Sequence, residues 1–141
     1  MSSQGYLLDA SALIELILRN AFINRLGDKV LHVLDLTIYE SFNALWKLVR
    51  RGILTIDEML ILARRVADII GFMYIESIDP LKALNVLEIV LKENLTVYDA
   101  SYLYIAKRMQ LILVTEDEEL MDRAKKLSIK AINVDEFLRK T

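Results

Sequence analysis

Five short β-rich runs, separated by longer helical stretches, constrain this chain more than any other feature. The runs are GYLLD (5–9), VLHVLDL (30–36), FMYIESI (72–78), LILVT (111–115) and KAINVD (130–135). Between them lie ASALIELILR, TIYESFNALWKLVRRG, TIDEMLILARRVADIIG, DPLKALNVLEIVLKENL, TVYDASYLYIAKRMQ and EDEELMDRAKKL, with a short helix expected at the end. Most of the strand candidates are continuously apolar. Strands of that kind alternating with helices point to a parallel sheet covered on both faces. In open sheets of this type the functional cleft lies beyond the C-terminal strand ends, where the strand order reverses. Chemistry is therefore expected just after strands, which is where Asp9 and Asp117 stand.

The totals narrow the class. A chain of 141 residues, 55% hydrophobic and 27% charged, can bury the core of one globular domain. No uncharged apolar run approaches the ~18 residues of a membrane span. The start MSSQGYLLD has no basic n-region, so no secretory signal is expected. With no cysteine there is neither a disulfide framework nor a thiolate zinc site, and a cytoplasmic location is the plain reading. A net charge of −2 excludes a protein that binds nucleic acid through bulk basic charge, but not one with a local site for it.

Asp9 poses the sharpest local question, because the pattern around it reads as buried strand turning into buried helix. An unpaired carboxylate there is costly. It must be solvated, cap a helix, or sit beside a cation. Three more acids occupy comparable junctions: Glu40, Asp99 and Asp117. Each has a structural reading. Glu40 in TIYE and Asp99 in TVYD follow a Thr by three residues and fit capping boxes, as does Glu58 in TIDE. TEDE (115–118) fits another, with Thr115 as cap and Glu118 as its partner. Helix N-termini that follow parallel strands open onto one edge of a sheet, so the same acids can also converge. Two carboxylates ~4 Å apart repel by about 4 kcal/mol at an effective dielectric near 20, and several together call for a proton or a hard cation such as Mg²⁺ or Mn²⁺. Separate caps and one acidic pocket both remain open at this point.

YLLDASAL, TIYESFNAL, TVYDASYLYIA and LILVTEDEEL resemble the four motifs of PIN-domain nucleases, in that family's order and spanning Tyr6 to Leu120. The overall length is similar to that of the VapC-like toxin ribonucleases of toxin–antitoxin pairs. The resemblance implies one PIN-like domain over residues 1–141: a three-layer α/β/α fold with a five-stranded parallel sheet. It also implies an acidic site binding one or two divalent ions. Asp9, Glu40, Asp99 and Asp117 match its acidic positions, as catalytic residues and metal ligands. Thr115 matches the hydroxyl often found two before the last acid, and Ser11 the small polar residue two after the first. The implied reaction is Mg²⁺- or Mn²⁺-assisted endonucleolytic hydrolysis of an RNA phosphodiester. The implied partners are an RNA substrate, a second copy of the chain, and a small antitoxin that covers the acidic groove.

Other residues have two readings each. Asn43 lies one turn after Glu40 and can face the same cleft. Lys47, Arg50 and Arg51 crowd a helix end, where they complement its negative pole or contact an RNA backbone. Trp46, Tyr102 and Tyr104 read as packing residues, and His32, with no second His or Cys nearby, as structural. MLILARRVADIIGFMYI has more apolar residues than one helix face needs, which suits either core or a dimer interface. The rival function is a catalytically silent PIN-like scaffold that binds protein or RNA. A receiver domain is disfavoured because no acid adjoins Asp9, a haloacid-dehalogenase-like phosphatase because Ser11 stands where it wants a second Asp, and no P-loop or Gly-rich dinucleotide motif occurs.

Overall fold

A computed structural model describes residues 3–21, 26 and 28–140. Its elements alternate as the patterning demands: β1 (Gly5–Leu8), α1 (Ala10–Leu18), β2 (Val30–Leu34), α2 (Asp35–Arg50), α3 (Ile56–Ile70), β3 (Tyr74–Glu76), α4 (Pro80–Glu93), α5 (Val97–Met109), β4 (Ile112–Val114), α6 (Glu118–Lys126), β5 (Ala131–Ile132) and α7 (Val134–Arg139). The strands pair in parallel in the order β3-β2-β1-β4-β5. This is the five-stranded parallel α/β fold that the sequence implied. The order reverses between β1 and β4, whose ends align through the pairs Leu7–Leu113 and Leu8–Val114.

Successive strand residues point to opposite faces, and the two cores follow that alternation. Tyr6, Leu8, Ile112 and Val114 face a core closed by α1, α3 and α7. Leu7, Leu34 and Leu113 face the other, closed by Tyr102, Leu103 and Ala106 of α5 and Leu120 and Ala124 of α6. The edge strand departs from expectation. Tyr74 and Ile75 of β3 are exposed, so the third run is not covered on both faces. His32 settles there as a structural residue, its Nδ1 2.8 Å from Glu76 Oε2 and its ring stacked on Tyr74 at 5.1 Å. Trp46, expected to pack, is 46% exposed.

Local chemistry sets the helix ends. Thr55 and Glu58 form the expected capping box of α3, with bonds of 3.1 and 3.0 Å. Asp79 caps α4 ahead of Pro80, as the Asp-Pro opening of DPLKALNVLEIVLKENL suggests. TIYE differs. Helix α2 starts at Asp35, two residues before the expected Thr37 cap, because Thr37 Oγ1 accepts the Leu34 N–H from inside the first turn at 3.1 Å. Glu40 is thereby carried into the second turn and is not a capping acid.

Helix α7 completes the first core through Phe137, which is fully buried and meets the Tyr6 ring edge-on at 5.2 Å. Truncating it leaves a cavity between α7 and β1. Phe137→Ala is expected to cost about 3–5 kcal/mol, read as a lower denaturant midpoint at unchanged slope. A loss below about 1 kcal/mol would mean that α7 is not docked on the sheet.

Candidate active site

Asp9 lies at the end of β1, and its carboxylate is buried. Three groups donate to it: Ser11 Oγ to Oδ1 at 2.7 Å, the Ala12 N–H to Oδ1 at 2.9 Å, and Thr115 Oγ1 to Oδ2 at 2.5 Å. One carboxylate thus caps α1 and joins the end of β1 to the residue following β4. Burial pushes its carboxyl up to about 6 from an ordinary 3.8. The three hydrogen bonds oppose that push and the charge of Glu40 adds to it. Thr115 is fully committed here, since its hydroxyl oxygen also accepts the Asp117 N–H at 3.0 Å. The expected Thr115–Glu118 capping box is therefore not formed. Asp117 caps α6 instead, with Oδ1 accepting from the N–H groups of Glu119 and Leu120 at 3.0 and 3.2 Å.

Glu40 and Asp99 come from α2 and α5. The Thr96 hydroxyl caps α5 by accepting the Asp99 N–H at 3.1 Å. The Asp99 carboxylate does not return the bond and has no hydrogen-bond partner among the described residues. Burial raises its pKa, and the negative charges of Asp117, Glu40 and Glu119 raise it further. Glu40 takes a hydrogen bond from the Tyr102 hydroxyl at 2.7 Å, and that hydroxyl lies 2.7 Å from Thr37 Oγ1. Burial, with the charge of Glu40, pushes the Tyr102 hydroxyl pKa up as well. Tyr102, expected only to pack, is a polar partner of the site. Its spacing, three residues after Asp99 on one helix face, was the available signal.

The four acids therefore share one electrostatic neighbourhood: Asp9 with Glu40, and Asp99 with Glu40 and Asp117. None of the four forms an ion pair with a cationic side chain among the described residues. Nor do any three of them close into a ready-made metal cage among those residues. That donor set suits a hard cation that takes one or two carboxylates and keeps its waters. Two neighbouring acids are otherwise engaged. Glu116 Oε1 accepts the Val134 N–H at 2.8 Å, and Glu119 faces Arg123 at 3.6 Å.

Beside the acids, a groove of about 430 Å³ runs between α1 and α2, with Ser11, Glu40, Asn43 and Lys47 in its walls. Asn43 and Lys47 have no hydrogen-bond or ion-pair partner among the described residues, so both face the groove uncommitted. Arg50 and Arg51, at the far end of α2, are outside its lining.

The family model for the PIN domain matches residues 6–127. Exonuclease VapC9 of Pyrobaculum aerophilum is 38% identical over 120 residues, covering 85% of this chain and 86% of the relative. Ribonuclease VapC3 of the same organism is 35% identical over 94 residues, covering 66% and 70%. The crystal structure of PAE2754 from Pyrobaculum aerophilum superposes with a TM-score of 0.80 at 35% identity, over 99% of this chain and 97% of that one. With its parallel sheet, its motifs in order and relatives matched over most of their length, the chain belongs to the PIN-domain family.

Proposed function

We propose that this protein is a divalent-metal-dependent endoribonuclease that hydrolyses RNA phosphodiester bonds as the toxin of a type II toxin–antitoxin pair. The observation that carries the reading is the set of four carboxylates at one sheet edge, none of them ion-paired to a cationic side chain among the described residues. The nuclease names of the VapC9 and VapC3 relatives support it. Asp9, Glu40, Asp99 and Asp117 are the residues that would hold Mg²⁺ or Mn²⁺. An ion there supplies Lewis-acid stabilisation of charge developing on the phosphate and eases deprotonation of the attacking water. The chain's own groups do the positioning. Ser11 and Thr115 fix the Asp9 carboxylate through both oxygens. Asn43 and Lys47 offer free donors along the groove by which an RNA strand reaches Glu40. Arg50 and Arg51 extend that basic run along α2 for more distant phosphates.

The partners follow the same reading. An antitoxin would cover the acidic groove with a basic side chain. Two copies of the chain would pair through apolar residues left uncovered: Leu60 and Ile61 of α3, Phe72, and Ile75 of β3 are all exposed. The apolar run expected to serve core or dimer thus divides, since Val66, Ile69 and Ile70 are buried. No helix among the described residues is long and apolar enough to cross a membrane, in keeping with cytoplasmic work on RNA.

Linear and circular structured RNAs, incubated with Mg²⁺, Mn²⁺ or EDTA beside Asp9→Asn, test the reaction. Metal-dependent cutting of both forms, lost in EDTA and in the variant, is expected. Cutting of linear RNA alone would make the enzyme an exonuclease. If neither cutting nor Mn²⁺ binding by calorimetry occurs, the protein is a silent scaffold.

Asp99→Asn is expected to abolish cleavage while leaving the melting temperature in EDTA unchanged or higher, because it removes a carboxylate that three neighbouring charges repel. A large fall would show that the carboxylate is needed to cap α5.

The Asp9 carboxyl sets a pH dependence. Its folded pKa of about 6 lies above the ordinary 3.8, so the folded state holds the proton more tightly. The associated stability, of order 3 kcal/mol, is present below pH 4 and is lost as pH rises through 6. Melting curves in EDTA should show the wild type losing stability relative to Asp9→Asn across that window. Parallel curves would place the carboxyl in water.

A further inference from the structure

We infer that Tyr102 and Thr37 are positioning residues that aim Glu40 at the metal site, through a one-way hydrogen-bond relay running from the backbone of β2 to the Glu40 carboxylate. The inference rests on the reading of Glu40 as a metal ligand and goes beyond it, since neither residue touches metal or substrate.

Counting protons fixes the direction of the relay. An ionised Glu40 can only accept, so the single Tyr102 hydroxyl proton is spent on Glu40 Oε1 at 2.7 Å. The contact of 2.7 Å between Tyr102 and Thr37 must then use the Thr37 proton. Thr37 Oγ1 in turn accepts the Leu34 N–H at 3.1 Å. The order is Leu34 N–H to Thr37, Thr37 to Tyr102, and Tyr102 to Glu40. Each link polarises the next.

The relay is also rigid. Tyr102 and Thr37 are 2% and 0% exposed, so water does not compete for their hydroxyls. It ties the two helices that carry acids. Thr37 and Glu40 are three residues apart on α2, and Asp99 and Tyr102 three apart on α5, so each pair shares a helix face. The Tyr102–Glu40 bond thereby fixes the Glu40 carboxylate relative to the helix that bears Asp99. Long side chains such as Glu lose rotamer entropy when they coordinate a cation, and the relay removes that freedom beforehand. Partners of ligating carboxylates elsewhere are worth 10- to 100-fold in metal affinity.

Mn²⁺ binding to the RNA-free protein, followed by calorimetry, tests this without relying on turnover. Tyr102→Phe keeps the ring and removes the donor, and is expected to weaken Mn²⁺ binding by about 10-fold. Thr37→Val, which cannot touch Glu40, should weaken it in the same direction by less. The double variant should be no weaker than Tyr102→Phe, because the relay is broken once. In cleavage assays the Mn²⁺ concentration for half-maximal rate should rise by the same factor with KM for RNA unchanged. Glu40→Gln provides the reference. If Glu40→Gln weakens Mn²⁺ binding and folded Tyr102→Phe matches the wild type, the relay is overturned while the nuclease reading stands. If the wild type binds no Mn²⁺, both fall. Should Tyr102→Phe fail to fold, Thr37→Val decides, and wild-type affinity there overturns the relay.

Discussion

The buried carboxylate of Asp9 is the constraint around which the rest of the molecule is arranged. A charge taken out of water is tolerated only where hydrogen bonds replace its hydration. Here Ser11, Thr115 and the first turn of α1 supply three. To supply them, β1 and β4 must be neighbours, in register to the last residue, with α1 starting immediately after Asp9. That is the crossover where the strand order reverses. The hydrogen bonds are still not enough to bring the carboxyl back to its ordinary acidity. The strand junction is therefore stable as a scaffold while holding a group that is better off beside a proton or a cation.

The same tension extends to the other acids, and helix geometry moderates it. Asp9 and Asp117 are N-caps, Asp99 lies in the first turn of α5, and Glu40 in the second turn of α2. The positive pole of a helix offsets part of a neighbouring negative charge, by about 0.3–1 kcal/mol and within one turn. Asp117 gains most, with two backbone N–H groups on one oxygen. Glu40 lies beyond that reach, and Asp99, within it, accepts no hydrogen bond among the described residues while feeling three negative neighbours. Fold stability and ligand readiness thus oppose each other most strongly at Asp99. The Asp9 side of the site is held by hydrogen bonds and the Asp99 side is left for an incoming ion to satisfy.

How much of this was legible in the sequence depended on the range of each interaction. The strands and their parallel sheet follow from apolar periodicity, which is a local signal. The capping box of Thr55 and Glu58 and the Asp79–Pro80 start of α4 are local as well, and both formed as read. TIYE and TEDE carry the same Thr-x-x-acid signature and mean something else. Thr37 is drawn into α2 by Tyr102, 65 residues away, and Thr115 is taken by Asp9, 106 residues away. Each hydroxyl keeps one local backbone donor, the Leu34 and Asp117 N–H groups respectively, and the distant partner takes the place of the expected capping acid. Burial of β3 was misjudged for a related reason. An apolar run shows that a strand is apolar; whether another layer covers it depends on elements elsewhere in the chain.

The charge distribution then determines how a polyanion can approach. A net charge of −2 gives no long-range attraction to RNA, and the acids at the sheet edge repel phosphate at the point where it would have to react. Lys47 is the one cation among the described residues lining the groove beside Glu40, and three of that lining are glutamates. On the proposed reading, a bound cation would relieve that repulsion at the reacting phosphate, while Lys47 would meet the backbone farther along the groove. A partner that lays a basic side chain among these carboxylates would offset part of the charge that a divalent ion offsets, with no water to activate.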